Sequence, residues 1–567
     1  MVKRAGEGSN PGSPNPAVGG RERSGAKRRR KRLQLLAQRA AKGARRRHRR
    51  KNRRYQAFRL LTRNQQEVAR RLSVGRVDLV TVTGWSFDAS FLAFLDQVEY
   101  VVLLDLEGQG FVRVMIPIAR LILTYQLKIL LGIPSMNLVP TKLFREIALL
   151  QLIGYTTVQL QNGFCQRGTL TVGPMHKNTL AEAMEKLTAD ELATVLNGTA
   201  QRLVQHGFFA KSHGHFALDA SDLPTTPTYE GAGLLTKTER RVTKDKQVVE
   251  LAHYVYGFQV FVVYEVQLRL IVAAQVVPIE ERETRHTLAL VRQAIRNLGP
   301  GILRVLLVDR GFLDGTDLWE LKHTLRIDFV VPAKATMRIT ADAQGLAHQK
   351  ADGESIFRAE RAGRPTRGKD GRERDDGQVT VVGVADLTSY DQYGDATHTL
   401  HANRKDFIGN PLNGLVVLRW QGEASAQGDE KVFLTSLPIS SPLAILDLYD
   451  LRSLIENTAF RELKQGWNLA SYPKKTDDAV RAHVFLTLVT FSLANAFRTK
   501  HGQALAHHGI RRQRAEQHCG KVVIVAGDHY AVFDLEEVFI LLGVIPTCCF
   551  QLDPAQVRYR YALSSVA

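Results

Sequence analysis

Cysteine is scarce in this chain, with four in 567 residues: Cys165, Cys519, Cys548 and Cys549. Their spacing fits neither a metal-ligand pattern nor a disulfide framework. The adjacent pair Cys548–Cys549 reads as buried thiols rather than a redox centre, and such usage suits a reducing, cytosolic compartment. Neither Gly-x-Ser-x-Gly nor Gly-x-x-x-x-Gly-Lys-[Ser/Thr] occurs, which removes a nucleophile elbow and a P-loop from consideration. Long apolar runs are also missing. The best candidate, Ala482 to Phe497, has 16 residues and contains His483 and Asn495. It is too short and too polar to span a bilayer, so it is expected to be a buried helix, with no membrane partner. The N-terminus has charges but no apolar core behind them, so no signal peptide is read. Residues 1–54 hold no Phe, Trp or Tyr.

What the chain does have is positive charge, unevenly placed. Residues 1–54 carry 20 Lys+Arg and 2 Glu, a net +18; the remaining residues carry 77 − 20 = 57 basic and 56 − 2 = 54 acidic side chains, a net +3. A Gly-, Pro-, Ser- and Arg-rich segment without aromatics cannot bury enough surface to fold alone. Residues 1–54 therefore read as a disordered basic arm, suited to sequence-neutral contact with DNA phosphates or simply a solvated tail.

The pattern then changes along the chain. Residues 55–210 read as mostly helical and as a DNA-binding domain. Thr141 to Tyr155 has helical apolar spacing, and Thr188-Ala-Asp-Glu within Thr179–Gly207 resembles a capping box. From 211 to 330 the apolar runs become strand-like: His215–Ala220, Glu250–Glu265, Leu268–Ile279 and Arg304–Val308. The helices Thr287–Leu298 and Asp314–Thr324 alternate with them, which implies a mixed α/β sheet. Residues 331–440 read as a β-rich insertion, with strands at Val379–Val384, His398–Arg404, Gly414–Trp420 and Lys431–Leu437. The polar stretch Gly353–Gln378 reads as a loop. Residues 441–500 return to helix at Ala444–Gly466 and Ala479–Phe497. Residues 501–567 read as a mixed tail, with a strand at Val522–Ala526 and a helix near Leu535–Leu542.

One stretch carries chemistry. In YDLRSLIENTAFRELK, Tyr449, Arg452 and Glu456 stand at spacings of three and seven. On a helix turning about 100° per residue they share a face, Tyr449 and Glu456 about 20° apart. The neighbours Leu454, Ile455 and Phe460 suggest a packed helix, on which a buried carboxylate needs a partner or a metal. Two more acids follow apolar strands: Asp219 in HFALDAS and Asp309 in RVLLVDRGF. Asp222 rivals Asp219 but does not end the apolar run directly, and Asp314 and Asp317 suit helix capping. Three carboxylates gathered by a fold can hold two hard divalent cations, which suffices to cut and join phosphodiesters.

These blocks together resemble the DDE transposases of bacterial insertion sequences, in particular the insertion-sequence-four-like group. Its signature is Tyr, two residues, Arg, three residues, Glu, six residues, Lys. Tyr449, Arg452 and Glu456 match it; LDASDLP and VDRGF are similar to the group's two Asp-bearing strands. The resemblance covers about 140–500. It implies an RNase H-like core holding two Mg²⁺ (or Mn²⁺) through Asp219, Asp309 and Glu456. Tyr449, Arg452 and Lys464 would grip phosphates near the cleaved end. It further implies metal-dependent cleavage at terminal inverted repeats, strand transfer to target double-stranded DNA, and a homodimer assembled on DNA. The setting would be the bacterial cytoplasm, at the nucleoid. Trp467, Trp420, Tyr390 and Tyr393 either stack on an unpaired base of a hairpin intermediate or pack in the core. The alternatives are a catalytically degenerate DNA-binding protein and a two-metal nuclease that never joins strands.

The sequence departs from the signature at one point. Seven residues separate Glu456 from Lys464, not six. On a regular helix this turns Lys464 about 80° away from Glu456 rather than about 20°. A one-residue π-bulge between them would restore the register; otherwise Arg461 or Lys464 reaches DNA from a shifted angle.

Overall fold

Eleven strands build one mixed sheet. In chain order they are β1 His215–Thr225, β2 Gly233–Val242, β3 Val248–Glu265, β4 Leu270–Pro278, β5 Val305–Val308, β6 Asp328–Pro332, β7 Ile356–Arg361, β8 Val379–Leu387, β9 Leu412–Trp420, β10 Glu423–Ala424 and β11 Lys431–Thr435. Across the sheet the order is β2-β3-β1-β5-β6-β11-β9-β8-β7, with β4 also on β3 and β10 on β9. The neighbours β1–β5 and β5–β6 run parallel. The parallel centre is apolar on both faces, as β5 (VLLV, all buried) illustrates, because layers cover it on each side. The described residues of this computed structural model are 60–561, apart from 84–85, 112–114, 165–172, 243–247, 350–354, 364, 368–372, 376, 396, 398–407, 421–422, 502–520 and 544–551. The basic arm 1–54, the four cysteines and the strand expected at His398–Arg404 lie outside them.

The helices Ala189–Gln205, Thr287–Leu298 and Asp477–His501 pack against β4, and Arg338–Ala347 packs against β8 and β9. Asp477–His501 is 25 residues long, beyond the Ala479–Phe497 expected. By length and composition it could cross a membrane, but 94% of its apolar window is buried inside the protein. His483, Asn495 and Ser492 find hydrogen-bond partners there. His483 Nε2 donates to the Asn468 carbonyl at 2.9 Å, since a carbonyl can only accept, and His483 Nδ1 then accepts from the Tyr125 hydroxyl at 2.9 Å. Asn495 Nδ2 donates to the Arg269 carbonyl at 2.8 Å, and Ser492 Oγ accepts from the Ile271 amide at 3.0 Å. These bonds pin the helix to the β3–β4 turn.

Several local expectations change in the structure. The strands of residues 331–440 do not form a sheet of their own: β11 pairs with β6, so β9, β8 and β7 prolong the central sheet. The polar stretch at Gly353–Gln378 contains β7 and a small hairpin, Pro365–Arg367 with Glu373–Asp375. Strand β7 is an outermost strand with one neighbour, β8, and its mixed IFRAER pattern hides it among charged residues. Thr141–Tyr155 is two short helices, Val139–Lys142 and Ile147–Leu152. The capping box at Thr188 and the cap at Asp314 are both present. Residues 55–210 are not wholly helical: Thr62–Arg63 and Leu79–Thr83 join His529–Asp534 and Lys521–Ala526 in a separate four-stranded sheet. Val68, Leu72, Ile524, Phe533, Val538 and Tyr561 fill the core beneath it. Segments so far apart in sequence carry no local signal of their pairing.

Burial lowers the His483 pKa to about 3, with Lys128 adding to the effect. A histidine depressed below its ordinary value of about 6.5 takes up its proton more readily in the unfolded chain. Its contribution is complete above about pH 6.5 and drains as the pH falls toward 3, by about 1.4 kcal/mol per pH unit. Urea melts between pH 7 and pH 5 are expected to show this slope in the wild type and a slope shallower by about one proton in His483→Gln.

Candidate active site

The centre of the sheet fixes two of the three acids. Strands β1 and β5 pair in parallel with His215 opposite Val305 and Leu218 opposite Val308. The next residue on each chain is aspartate, Asp219 and Asp309. Neighbouring strands lie about 4.8 Å apart, so the shared register sets the two Cα atoms side by side. Asp309 follows the last residue of β5 and opens a tight turn, Arg310–Phe312. Asp219 does not end its strand, contrary to the sequence reading: β1 runs on to Thr225 beside β3 after β5 has turned away. Crevices outside the carboxyl ends of parallel strands are where α/β sheets place ligands.

The third acid comes from the chain after β11. Pro442–Asp450 is a regular helix, but it stops there; residues 451–452 turn, helix resumes at 453–454, Ile455–Phe460 is a π-helix, and Arg461–Gln465 returns to α-helix. The single helix expected over Ala444–Gly466 is therefore broken. The π-helix contains Glu456 and ends before Lys464, in the stretch where the sequence carries its extra residue. Glu456 itself is exposed, its side chain 52% accessible, which corrects the expectation of a buried carboxylate. Ile455 and Ala459, four apart, bury the inner face, and Glu456 projects from the next position.

Arg452 joins the pieces. Its Nη1 donates to Asp219 Oδ2 at 3.1 Å and its Nη2 to Glu456 Oε1 at 2.8 Å. Its guanidinium lies 5.9 Å from the centre of the Tyr449 ring, which itself packs on Phe433 at 4.6 Å. Asp219 is 7% exposed. Burial pushes its carboxyl up to about 7; the Ala220 amide and Arg452 oppose this, while the charges of Glu456 and Asp309 add to it. The raised Tyr449 pKa is likewise a burial effect first. The structure thus brings Asp219, Asp309, Glu456, Tyr449 and Arg452 into one electrostatic neighbourhood. Lys464 sits apart, with Asp222 and Lys237. Desolvation lowers its pKa, Asp222 opposes that, and Lys237 reinforces it. Trp467, Tyr390 and Tyr393 are buried in the core.

Two participants are not evident from sequence. Glu283, after β4, has its pKa raised by burial first and then by Asp309 and Asp222. It lies directly over the VDRGF turn: a Cβ on Gly311 would run into Glu283 Oε2. Lys237, on β2, donates to Asp222 Oδ2 at 2.5 Å. Only the pairing of β3 with both β1 and β2 reveals that Lys237 belongs here.

The donors suit a hard cation in kind, since all are carboxylate oxygens. The raised pKa of Asp219 marks a buried carboxylate, which Arg452 neutralises from one side. Among the described residues, no three His, Cys, Asp or Glu side chains are arranged closely enough to hold a metal ion. With Arg452 bonded to both Asp219 and Glu456, those two carboxylates are engaged by the guanidinium.

Gly311 and Glu283 are expected to be coupled. Gly311→Ala should cost about 1 kcal/mol, the added methyl displacing the Glu283 carboxylate, and Glu283→Ala should remove that cost. A double-mutant cycle from urea melts checks this; additive losses would contradict the close approach.

Three comparisons bear on this geometry. No curated protein matches the chain. Among solved structures, a piggyBac transposase synaptic complex with hairpin DNA is similar at 8% identity and a TM-score of 0.32, covering 88% of this chain and 82% of that one. A score that low carries no argument about fold or site. The family model described as "Transposase DDE domain" matches residues 210–493, half of the chain, a span that includes β1 to β11 and every acid discussed above. By that match the chain belongs to the transposase DDE-domain family.

Proposed function

We propose that this transposase is a cut-and-paste enzyme of the insertion-sequence-four-like group, with an RNase H-like core in which Asp219, Asp309 and Glu456 hold two Mg²⁺ ions. The observation that carries the reading is the β1–β5 register, which sets Asp219 beside Asp309, together with the Arg452 bridge from Asp219 to Glu456. Mn²⁺ would substitute for Mg²⁺, because both accept carboxylate and water oxygens. Bound divalent cations supply the charge and Lewis acidity needed to attack a phosphodiester with water or a 3′-hydroxyl.

The chain's own residues do the rest. Arg452 offers a planar fork to a phosphate, and Tyr449 buttresses it through ring contact. A phosphate that draws Arg452 away frees Asp219 and Glu456 together. Lys464 and Asp222 lie on the side where β1 continues past Asp219, so Lys464 meets the duplex beside the scissile bond as a point charge. The π-helix at Ile455–Phe460 absorbs the extra residue before Lys464. Hydrolysis releases a 3′-hydroxyl, which then attacks a target phosphate and displaces the 3′-oxygen there. The partners are terminal inverted repeats and target DNA, bound by a homodimer at the bacterial nucleoid. The basic arm 1–54 adds sequence-neutral phosphate contact. Residues 55–210 contribute to end binding.

The test is cleavage of a labelled fragment carrying the gene's own flanking ends. Wild type with Mg²⁺ should produce 3′-hydroxyl ends and then joined products; EDTA should abolish both. Asp309→Ala and Asp219→Ala should lose cleavage by about a thousandfold or more, the scale of several kcal/mol of transition-state charge stabilisation, while still binding DNA. Cleavage unchanged in either variant would sink the assignment. Cleavage without joining identifies a nuclease, and binding without cleavage in Mg²⁺ or Mn²⁺ identifies a degenerate DNA-binding protein.

A further inference from the structure

Strand β3 is 18 residues long, and only part of it belongs to the body of the sheet. Residues 256–265 pair with β1, and residues 258–265 also carry β4 on the other edge. Residues 248–255 pair with β2 alone. From Tyr256 outward, β2 and β3 therefore leave the sheet as a two-stranded ribbon, about 25–30 Å long at about 3.4 Å per residue.

Three observations say what the ribbon is for. The first is its root. At its base Lys237 bonds Asp222, three residues past Asp219 on β1, and Lys464 lies in the electrostatic field of both. The ribbon therefore springs from the edge of the acid cluster. The second is its surface. Leu234, Thr236, Thr238, Ala252 and Tyr254 alternate along the two strands, and all are exposed; Tyr254 is 68% accessible. No other strand among the described residues pairs with β2 beyond β3. The third is charge. Residues 233–257 (GLLTKTERRVTKDKQVVELAHYVYG) carry five Lys or Arg and three Asp or Glu, a net +2, whereas all of residues 55–567 together net only +3.

We infer that the β2–β3 ribbon is a DNA arm that lies on the duplex flanking the phosphate drawn to Arg452, gripping its backbone. This rests on the transposase reading and extends it to an element that lacks every catalytic residue. A two-stranded ribbon has the width to enter a major groove. Threonine hydroxyls and lysines contact phosphate and sugar without reading sequence, and the exposed Tyr254 ring covers sugar or base edges. A second copy of the chain is the competing occupant, adding a strand to the free edge of β2. Lys237 on that strand disfavours such pairing, as charged edge strands generally do.

Shortening the ribbon tests the inference. Lys237 and His253 are directly paired, so Thr238–Ala252 can be replaced in the full chain by Asn-Gly, a two-residue turn that joins paired strands. The probe is a fluorescent duplex carrying the gene's flanking sequence, titrated at several salt concentrations. The shortened chain should bind roughly ten- to hundredfold more weakly, with a salt slope shallower by about two to three units, at about 0.9 for each phosphate left unneutralised. Hydroxyl-radical protection should vanish next to the cleavage point and persist elsewhere. If the shortened chain does not fold, Lys237→Ala with Tyr254→Ala leaves the strands intact and should weaken binding about tenfold, with a slope change of about one unit. Unchanged affinity and slope overturn the inference. So does loss of dimerisation in sedimentation with the slope per protomer unchanged, which assigns the ribbon to the partner copy. A wild type that binds no duplex overturns the parent reading as well, whereas wild-type binding with an unaffected shortened chain overturns the ribbon alone.

Discussion

The site depends first on the hydrogen-bonded register between β1 and β5. Four paired residues, His215 with Val305 through Leu218 with Val308, decide that the aspartates one step further on stand side by side. A slip of one residue would send one carboxylate to the opposite face of the sheet. The register is secured by burial rather than by the acids. Phe216, Ala217 and Leu218 on one strand and Leu306, Leu307 and Val308 on the other are all at most 1% exposed. An apolar core thus pays for holding like charges together at its rim.

The same arrangement explains the electrostatics. Burial alone disfavours an ionised Asp219, and Asp309 and Glu456 make it worse. Arg452 is the local answer, and its position is set by an irregular piece of chain. Because the regular helix ends at Asp450, residues 451–452 turn before helix resumes and passes into the π-helix, and Arg452 sits in that turn with Glu456 four residues ahead. Glu283 and Asp222 extend the acidic zone, and Lys237 and Lys464 bound it on the side where β1 runs on. Negative charge inside and positive charge at the margin are what a site needs if it is to gather cations and still hold a polyanion.

Much of this is legible in the sequence because the signals are local. Apolar runs leading into Asp219 and Asp309, and the three-and-seven spacing of Tyr449, Arg452 and Glu456, survive as neighbours in space. A π-bulge is one of the two outcomes that the extra residue before Lys464 allows, and a π-helix stands at Ile455–Phe460. Other features are illegible because they depend on pairing between distant segments. Nothing within KVFLT indicates that β11 joins β6, and nothing within TERRV indicates that β2 leaves the sheet with β3. Glu283 gives no signal, since its importance comes from the backbone of Gly311 passing beneath it. The apolar neighbours of Glu456 mislead about its exposure, because its own position faces outward.

The small sheet made from both ends of the described chain has a consequence for synthesis. Gln65 Nε2 donates to the carbonyl of Val532, 467 residues away, and Thr62–Arg63 pair only with His529–Tyr530. On a ribosome moving at about 5–20 residues per second, the early strands wait roughly 20–90 s for partners. During that interval the central sheet can already be assembled while the first segment remains an open edge. The order of translation therefore makes this sheet close after the central one, a seal set only when residues 521–534 have been made.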